Sequence, residues 1–240
     1  MSDSANPRYG TPNWEMLRRW FELPAEQDGQ FWALNLMKYR DVADYSDGRE
    51  TTISGQEADD IYAPIEILES LGAVPAYGAS VTAQHAGDPA WDRVAIVRYP
   101  SRAEFFEMQR RPDFIERHIH KDAGMEFTIV MSCDAHELPA QPGTAEHGSL
   151  VLSVSRFPSG AAASERSIEG VTPVAHFDVE GPIIGDERRW HEARFDRVTD
   201  AALSDYIAAA EAEEQVVVVL DDETPVIGID VLLESVASRS

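Results

Sequence analysis

The sequence has little cysteine, little positive charge and no long apolar run. Cys133 is the only cysteine among 240 residues, which excludes an internal disulfide and a thiolate-rich metal site. The longest apolar run, VVVVL at 216–220, is far shorter than the roughly 20 residues that span a bilayer. The N-terminus has no basic start followed by an apolar core, so no secretory signal is expected. These absences predict a cytoplasmic protein that does not bind membranes.

Basic side chains are outnumbered by acidic ones. The chain carries 20 basic and 43 acidic residues, a formal net charge of −23 at pH 7. Such a surface repels phosphate backbones, so nucleic acid is not expected as a partner. High net charge commonly serves solubility, and this interpretation is favoured over a specific basic protein partner.

The chain contains a weak internal repeat. Pro75 aligns with Pro173, and Trp91 aligns with Trp190 at nearly the same separation along the chain. Around these positions each half shows the same order of elements, β-α-β-β-α-β, which is the ferredoxin-like unit. The first half is expected to contain helices over 56–72 and 101–124, the second of them interrupted near Pro112 because proline lacks the backbone N–H.

The repeat predicts an α+β protein. Two fused ferredoxin-like (βαββαβ) repeats are expected to pack sheet to sheet as a dimeric α/β-barrel, with a cavity between the sheets. The expected helices of the second half span 161–169 and 200–215. The predicted organisation is an N-terminal arm over 1–30, a first domain over 31–134, a linker over 135–148 and a second, divergent domain over 149–240.

The first half also resembles a known family. Four stretches carry the resemblance: ALNLMKYR at 33–40, GASVTAQHAG at 78–87, WDRVAIVRYPSRAEFFEMQRRPDF at 91–114 and HIHKDAGM at 118–125. Together they resemble a family of small domains of unknown function in the dimeric α/β-barrel superfamily. The resemblance covers roughly residues 31–134. It implies a ferredoxin-like domain that pairs with a second one, either within this chain or in a homodimer.

The resemblance does not imply one reaction. The superfamily includes cofactor-free monooxygenases, muconolactone-type isomerases, polyketide cyclases, aldoxime dehydratases and two-repeat chlorite dismutase-like haem proteins, so the function has to be argued from the site. A haem is not expected here, because the predicted second-half helix contains no histidine. No glycine-rich phosphate loop or other cofactor motif occurs either, so no organic cofactor is expected.

The first strand supplies the first candidate. Alternation places Asn35 and Tyr39 on the face opposite Leu34 and Leu36. If the leucines face the helices, Asn35 points into the cavity between the sheets and binds a substrate oxygen there. A structural hydrogen bond of Asn35 is an equally weighted alternative. Asn35 lies in a stretch that carries the resemblance. Tyr39 shares its face and is a candidate for substrate binding.

Two further side chains of the first half are candidates for substrate binding. Arg98 lies at the end of a strand, where its guanidinium would clamp a carboxylate, although a strand-end arginine more often pairs with an acid at the surface. Tyr77 offers a hydroxyl to the cavity, with ordinary packing as the alternative.

His118 and His120 stand two residues apart in a predicted helix. Helical neighbours at this spacing differ by about 200° around the axis, so the two side chains cannot share a metal ion. One histidine is expected near solvent and the other at the cavity mouth. His120 is predicted to be the catalytic histidine, with Asn35 as its partner, because the HKDAG run matches the family pattern. His118 is retained as a residue that contacts substrate.

The second half carries a polar strand face. His176 and Asp178 alternate with apolar residues, and Glu192 lies on the next strand. His176 and Asp178 are predicted to act as a base and its orienting carboxylate. A solvated outer sheet face is the alternative. No metal site is assigned, and whether a metal ion binds at His176, Asp178 and Glu192 stays open.

These residues favour an enzyme without an organic cofactor. It would use acid/base chemistry to isomerise, cyclise, dehydrate or oxygenate a modest organic acid or aromatic compound in the cavity between the sheets. The alternative is a non-catalytic ligand-binding or assembly protein. A small-molecule substrate is the expected partner, and a homodimer is possible.

Overall fold

The computed structural model describes residues 6–136, 148–158 and 167–238. The strands in these ranges are β1 (Thr11–Pro12), β2 (Phe31–Tyr39), β3 (Val74–Ala86), β4 (Arg93–Tyr99), β5 (Met125–Ala135), β6 (Ser149–Arg156), β7 (Val171–Gly185), β8 (Glu192–Val198) and β9 (Glu214–Leu220). The helices are α1 (Trp14–Phe21), α2 (Gly55–Tyr62), α3 (Ile65–Ser70), α4 (Arg102–Arg110), α5 (Pro112–Gly124), α6 (Leu203–Ala208) and α7 (Ile229–Ala237), with a 3-10 turn at Asp200–Ala202.

Eight strands close into one antiparallel barrel. Their order is β7-β5-β2-β4-β3-β9-β6-β8, and β8 pairs with β7 to complete the ring. β1 extends the sheet by pairing with the end of β7. The first half of the chain supplies β5-β2-β4-β3 and the second half supplies β9-β6-β8-β7, so both halves contribute four strands in the same relative order. The α+β class and the barrel are therefore confirmed.

The barrel interior is filled by apolar side chains. Leu34 and Leu36 of β2 point inward and are fully buried there with Phe177 and Phe195. Helix α7 adds Leu232 to the same core. Burying a side chain of this size stabilises the fold by about 2–3 kcal/mol. The prediction of a cavity between the sheets is therefore wrong, because packed side chains fill the barrel interior.

The assignment of the β2 faces is also wrong. Leu34 and Leu36 line the barrel interior, and the helices cover the face that carries Phe31, Ala33 and Asn35. Period-two alternation fixes which residues share a face, but it does not say which face turns toward the helices. In a closed barrel the interior is the more apolar of the two environments, and the leucines occupy it.

Four helices cover the outer face of the first-half sheet. Phe31 of β2 packs there with Leu68 of α3, Met108 of α4 and Phe114 of α5. The expected interruption at Pro112 is confirmed, since α4 ends at Arg110 and α5 begins at Pro112. The expected helix over 56–72 is instead two helices. Proline at 64 lacks the N–H that a continuous helix needs, and α2 ends before it.

The second half is less helical than expected. The helix expected over 200–215 is reduced to the 3-10 turn and α6, and Glu211 has a left-handed backbone (φ 48°) before β9 begins. Most of the helix expected over 161–169 lies outside the described residues, and residues 167–170 are not helical. The expected linker over 135–148 also lies mostly outside them, while His136 still pairs with the backbone of β7.

The N-terminal arm expected over 1–30 contains α1. The side chain of Trp20 is buried against the first-half helices, whereas Trp14 and Phe21 are exposed. Within the described ranges, no helix has the length and apolar character that crossing a membrane requires.

Candidate functional site

A pocket of about 770 Å³ lies between the outer face of the first-half sheet and the helices that cover it. Its floor includes Asn35 of β2 and Arg93 of β4. Asp59 of α2 and Lys121 of α5 line it from the helices, and Tyr9 lines it from the N-terminal arm. We call this space the outer pocket.

A buried carboxylate anchors the polar end of the outer pocket. Asp59 Oδ2 accepts a hydrogen bond from Tyr39 Oη at 2.6 Å and lies 3.2 Å from Arg93 Nη1. Arg93 Nη1 also lies 2.7 Å from Oδ1 of Asp60, which is largely exposed. Charged groups are rarely buried unless they are paired in this way. The network therefore holds the Asp59 carboxylate and the Arg93 guanidinium at fixed positions beside the pocket.

Helix α5 presents a histidine and a lysine to the same pocket. Phe114, His118 and Lys121 follow one another at i, i+4 and i+7 and therefore share one face of the helix. His118 Nε2 lies 2.7 Å from Tyr9 Oη. The Lys121 ammonium is buried over the rings of Tyr9 and Tyr62, with Nζ 5.6 and 5.2 Å from their centroids. An ammonium over an aromatic face is attracted by the ring quadrupole.

Burial perturbs the proton affinity of these groups. Burial lowers the pKa of the Lys121 ammonium below its ordinary value, and the carboxylate of Asp59 opposes this shift. Burial also lowers the pKa of His118 to about 4, with a contribution from the positive charge of Lys121. Burial raises the pKa of the Tyr9 hydroxyl. His118 is therefore neutral near pH 7, and the lysine loses its proton more easily than an exposed one.

The low pKa of His118 makes stability depend on pH. In the unfolded chain the histidine protonates below pH 6.5, whereas in the folded protein it stays neutral down to about pH 4. The unfolded state therefore binds more protons in this window, and stability falls as the pH falls through it, by up to about 3 kcal/mol. Chemical denaturation of the wild type and His118→Gln at pH 7 and pH 4.5 measures this. The variant should lose less stability, and equal losses would contradict the assignment.

The structure reverses the expected roles of the two α5 histidines. His118 lines the outer pocket together with Asn35. His120 is on the other side of the helix, where its Nδ1 lies 2.7 Å from Tyr45 Oη. The prediction that His120 faces the cavity is therefore wrong. The helical spacing correctly places the two side chains on different sides of α5, and the one that lines the outer pocket is His118.

Asn35 reaches a pocket, although not the expected one. Its side chain lies on the helix-covered face of β2, and Nδ2 donates to the Ala33 carbonyl oxygen at 3.0 Å. Tyr39 shares this face and is buried against Asp59, so it supports the pocket wall. Asn35 therefore lines the outer pocket, while Tyr39 contacts the pocket through Asp59.

Two other predicted binding residues have structural contacts. Tyr77 belongs to the barrel core, where its ring lies 5.6 Å from that of Phe195, and burial raises the pKa of its hydroxyl. Tyr77 also lines the outer pocket. Arg98 donates from Nη1 to the Ser235 carbonyl oxygen of α7 at 3.3 Å. Arg98 thus contacts the C-terminal helix, away from the polar end of the outer pocket.

His176 and Asp178 lie together on the outer face of the second half. His176 Nε2 is 3.0 Å from Glu192 Oε2, which agrees with the expectation that the polar faces of the two strands coincide. Asp178 Oδ2 is 2.7 Å from Nε2 of His136. Asp178 therefore pairs with a different histidine from the one it was expected to orient. The pairing was not visible in the sequence because His136 lies just beyond a strand end.

Sequence reasoning missed Lys121, Asp59 and Arg93. Lys121 had a usable signal, since the sequence contains only two lysines and the other is Lys38. Its position three residues after His118 on a helix also puts both side chains on one face. Asp59 and Arg93 had no such signal, because their pairing joins a helix to a strand 34 residues away.

Comparison with known proteins yields two solved structures. No protein-family model and no curated protein matches the chain. The methylated RPA0582 protein is 32% identical over 55% of this chain and 96% of its own, with a TM-score of 0.45. The RPA0582 protein of unknown function from Rhodopseudomonas palustris is 31% identical over 52% of this chain and 94% of its own, with a TM-score of 0.44.

This chain is similar to the RPA0582 protein over about half of its length. The match covers almost all of the RPA0582 protein. The function of the RPA0582 protein is described as unknown, and the similarity assigns no reaction.

Proposed function

We propose that the protein is a small-molecule enzyme that needs no organic cofactor and moves a proton in the outer pocket. One observation carries the proposal: Lys121 is buried beside the pocket, and burial lowers the pKa of its ammonium. A buried cation without a close carboxylate partner costs stability, and such costs concentrate at functional sites. No ion pair or hydrogen bond of the Lys121 ammonium occurs within the described ranges, so a substrate can be its partner.

The other polar groups would bind and orient the substrate. Arg93 and Asn35 on the floor would hold a carboxylate or a carbonyl oxygen. Among the described residues, the Tyr39 and Arg93 donors both reach Oδ2 of Asp59, and Oδ1 would accept a hydrogen bond from a group in the pocket. Neutral Lys121 would then take a proton from the carbon or hydroxyl of the substrate next to the oxygen that Arg93 and Asn35 hold.

The remaining lining indicates the kind of substrate. Most of it is aromatic or aliphatic, including Leu68, Tyr99, Phe105 and Phe114. It suits a flat, largely apolar molecule with one acidic or carbonyl end, which is a modest organic acid or an aromatic compound. Isomerisation, cyclisation, dehydration and cofactor-free oxygenation of such compounds can all begin with the removal of a proton next to a carbonyl.

A non-catalytic ligand-binding protein is the second candidate. The apolar character of most of the lining favours it, because a pocket of this kind can retain a hydrophobic ligand without reacting with it. The two candidates share the pocket and differ in what Lys121 does. Proton exchange on a bound compound therefore separates them.

The repeated strand order supports a shared origin of the two halves. We propose that each half derives from one ferredoxin-like unit and that the chain is a fused member of the dimeric α/β-barrel superfamily. A single chain already closes the barrel, so a homodimer would have to use outer surfaces. A homodimer and a cytoplasmic location stay predictions.

Hydrogen–deuterium exchange tests the enzyme proposal. A panel of aromatic and aliphatic keto acids is incubated in D2O with the protein, and the loss of C–H signals is followed by proton NMR. We expect exchange with at least one aromatic member, and Lys121→Met should slow it by about 10²- to 10⁴-fold, the usual contribution of a general base.

Lys38→Met is the matched control for this test. Lys38 is the other lysine of the chain and pairs with the Asp92 carboxylate at 3.2 Å. Its replacement should leave the exchange unchanged. Compounds that raise the melting temperature of the protein but exchange no proton would contradict the enzyme proposal and support the binding protein.

A further inference from the structure

Four potential metal ligands meet on the outer face of the second half. His176 and Asp178 lie on β7, Glu192 lies opposite Asp178 on β8, and His136 directly follows β5 on the other side of β7. The His136 N–H donates to the His176 carbonyl oxygen at 2.8 Å, which places the two residues side by side. Three adjacent strands therefore bring two imidazoles and two carboxylates to one face of the sheet.

The side chains of this cluster converge. His136 Nε2 lies 2.7 Å from Asp178 Oδ2, and His176 Nε2 lies 3.0 Å from Glu192 Oε2. The two imidazole rings are stacked, with centroids 4.1 Å apart and planes 7° apart. One ligand atom from each of His136, His176 and Asp178 lies within 4.8 Å of the others.

We infer that this cluster is a binding site for a divalent transition metal ion of the zinc class. His136, His176 and Asp178 are the ligands, and Glu192 completes the site. Two neutral imidazoles and two carboxylates form a mixed N/O set with a formal charge of −2, which one divalent cation neutralises. Imidazole suits zinc, copper and nickel, while all-carboxylate sites suit magnesium and calcium. The site is separate from the outer pocket and does not depend on its proposed function.

Small side-chain rotations are sufficient to form the coordination shell. Zinc lies about 2.0–2.2 Å from nitrogen and oxygen ligands, so neighbouring donors of a tetrahedral site are about 3.4 Å apart. The side chains of His136 and Asp178 are 43% and 66% exposed and are free to turn inward. Glu192 is buried and supplies a fixed position on the sheet. Arg194 Nη1 lies 4.0 Å from Glu192 Oε2, while the Arg194 Nε lies 3.3 Å from Asp196 Oδ2. Arg194 is therefore the cation that competes with the metal.

Titration with zinc chloride tests the inference. The full chain, free of any affinity tag, is titrated in a calorimeter at pH 7.5, and the stoichiometry is checked by native mass spectrometry. We expect one zinc ion per chain. His136→Ala and His176→Ala should each weaken binding by more than about 100-fold, since loss of a ligand exceeds the 10- to 100-fold effect of losing an outer partner of a ligand.

His85→Ala is the matched control. His85 is an exposed histidine on β3, outside the cluster, and its removal should leave zinc binding unchanged. Circular dichroism establishes that each variant is folded, and Asp178→Asn provides a ligand variant that keeps both imidazoles. Failure of the folded wild type to bind zinc would overturn the site. Equal binding by the wild type and all three ligand variants would overturn it as well.

Discussion

Asparagine in place of Asp59 is expected to lower the free energy of unfolding by about 3 kcal/mol. The carboxylate accepts a hydrogen bond from Tyr39 and pairs with Arg93 inside the fold. Asparagine keeps the shape of the side chain but removes its charge, which leaves the buried guanidinium without its buried partner. Breaking one side of a buried pair costs more than the pair itself contributes. Urea denaturation at pH 7 measures the loss.

Asp60→Asn is the control for this change. Asp60 also pairs with Arg93, at 2.7 Å, but its side chain is 54% exposed. Solvent screens such a pair, so the control should cost less than about 1 kcal/mol. Equal losses for the two variants would show that burial of the Asp59 carboxylate is not what makes it important.

Asp59→Asn is also expected to change the pKa of Lys121. The Asp59 carboxylate raises the pKa of the lysine against the effect of burial, so Asp59→Asn should lower that pKa further. The sequence has only two lysines, so carbon-13 labelling of lysine gives two side-chain signals, with Lys38 as the internal reference. An unchanged Lys121 titration would contradict an electrostatic link between the two groups.

Alanine in place of Gly55 is expected to destabilise the protein by about 3 kcal/mol or more, at the upper end of the cost of overpacking. A Cβ atom at this position would lie 2.6 Å from the Arg40 carbonyl oxygen and would also collide with the backbone of Gly124. These are backbone atoms, which cannot move aside as a flexible side chain can. The start of α2 would have to shift away from the end of α5, and Asp59 would move with it.

Gly29→Ala serves as the control for the glycine variant. A Cβ atom at Gly29 meets no heavy atom within 4 Å, so the change should leave stability nearly unaltered. Thermal and urea unfolding compare the two variants. If Gly55→Ala unfolds like Gly29→Ala, the two helices are not packed as closely as described. Loss of exchange activity in a folded Gly55→Ala protein would further indicate that α2 positions Asp59.

Local patterns in the sequence are sufficient for much of the architecture. The alternation of β2 predicts which of its residues share a face, and Pro112 predicts the helix break, because both depend on neighbours in the chain. The order of elements predicts the barrel. The orientation of Asn35 is different, since it depends on which side of the sheet the helices cover. That choice is made by the closure of the ring and is not encoded in the alternation.

In the candidate site, too, local spacing predicts some features and long-range packing determines the others. Helical spacing separates His118 from His120, but only the packing of α5 against the sheet determines that His118 lies inside. Lys121 could have been found from its place on the same helix face. Asp59, by contrast, comes from another helix, and Arg93, with which it pairs, comes from a strand. Long-range contacts of this kind leave no periodic trace in one sequence.

The two halves of the barrel meet at seams of unequal length. At one seam β5 pairs with β7 from Phe177 to Ile184, while at the other β3 pairs with β9 only from Val217 to Leu220. Beyond the shorter seam Gly78 bonds to Ile227, just before α7. Thermal fluctuations that open the ring should therefore begin between β3 and β9, where fewer backbone bonds have to break. The C-terminal segment adds two backbone hydrogen bonds between Gly78 and Ile227 beside this seam. Its detachment would therefore make local opening between β3 and β9 easier.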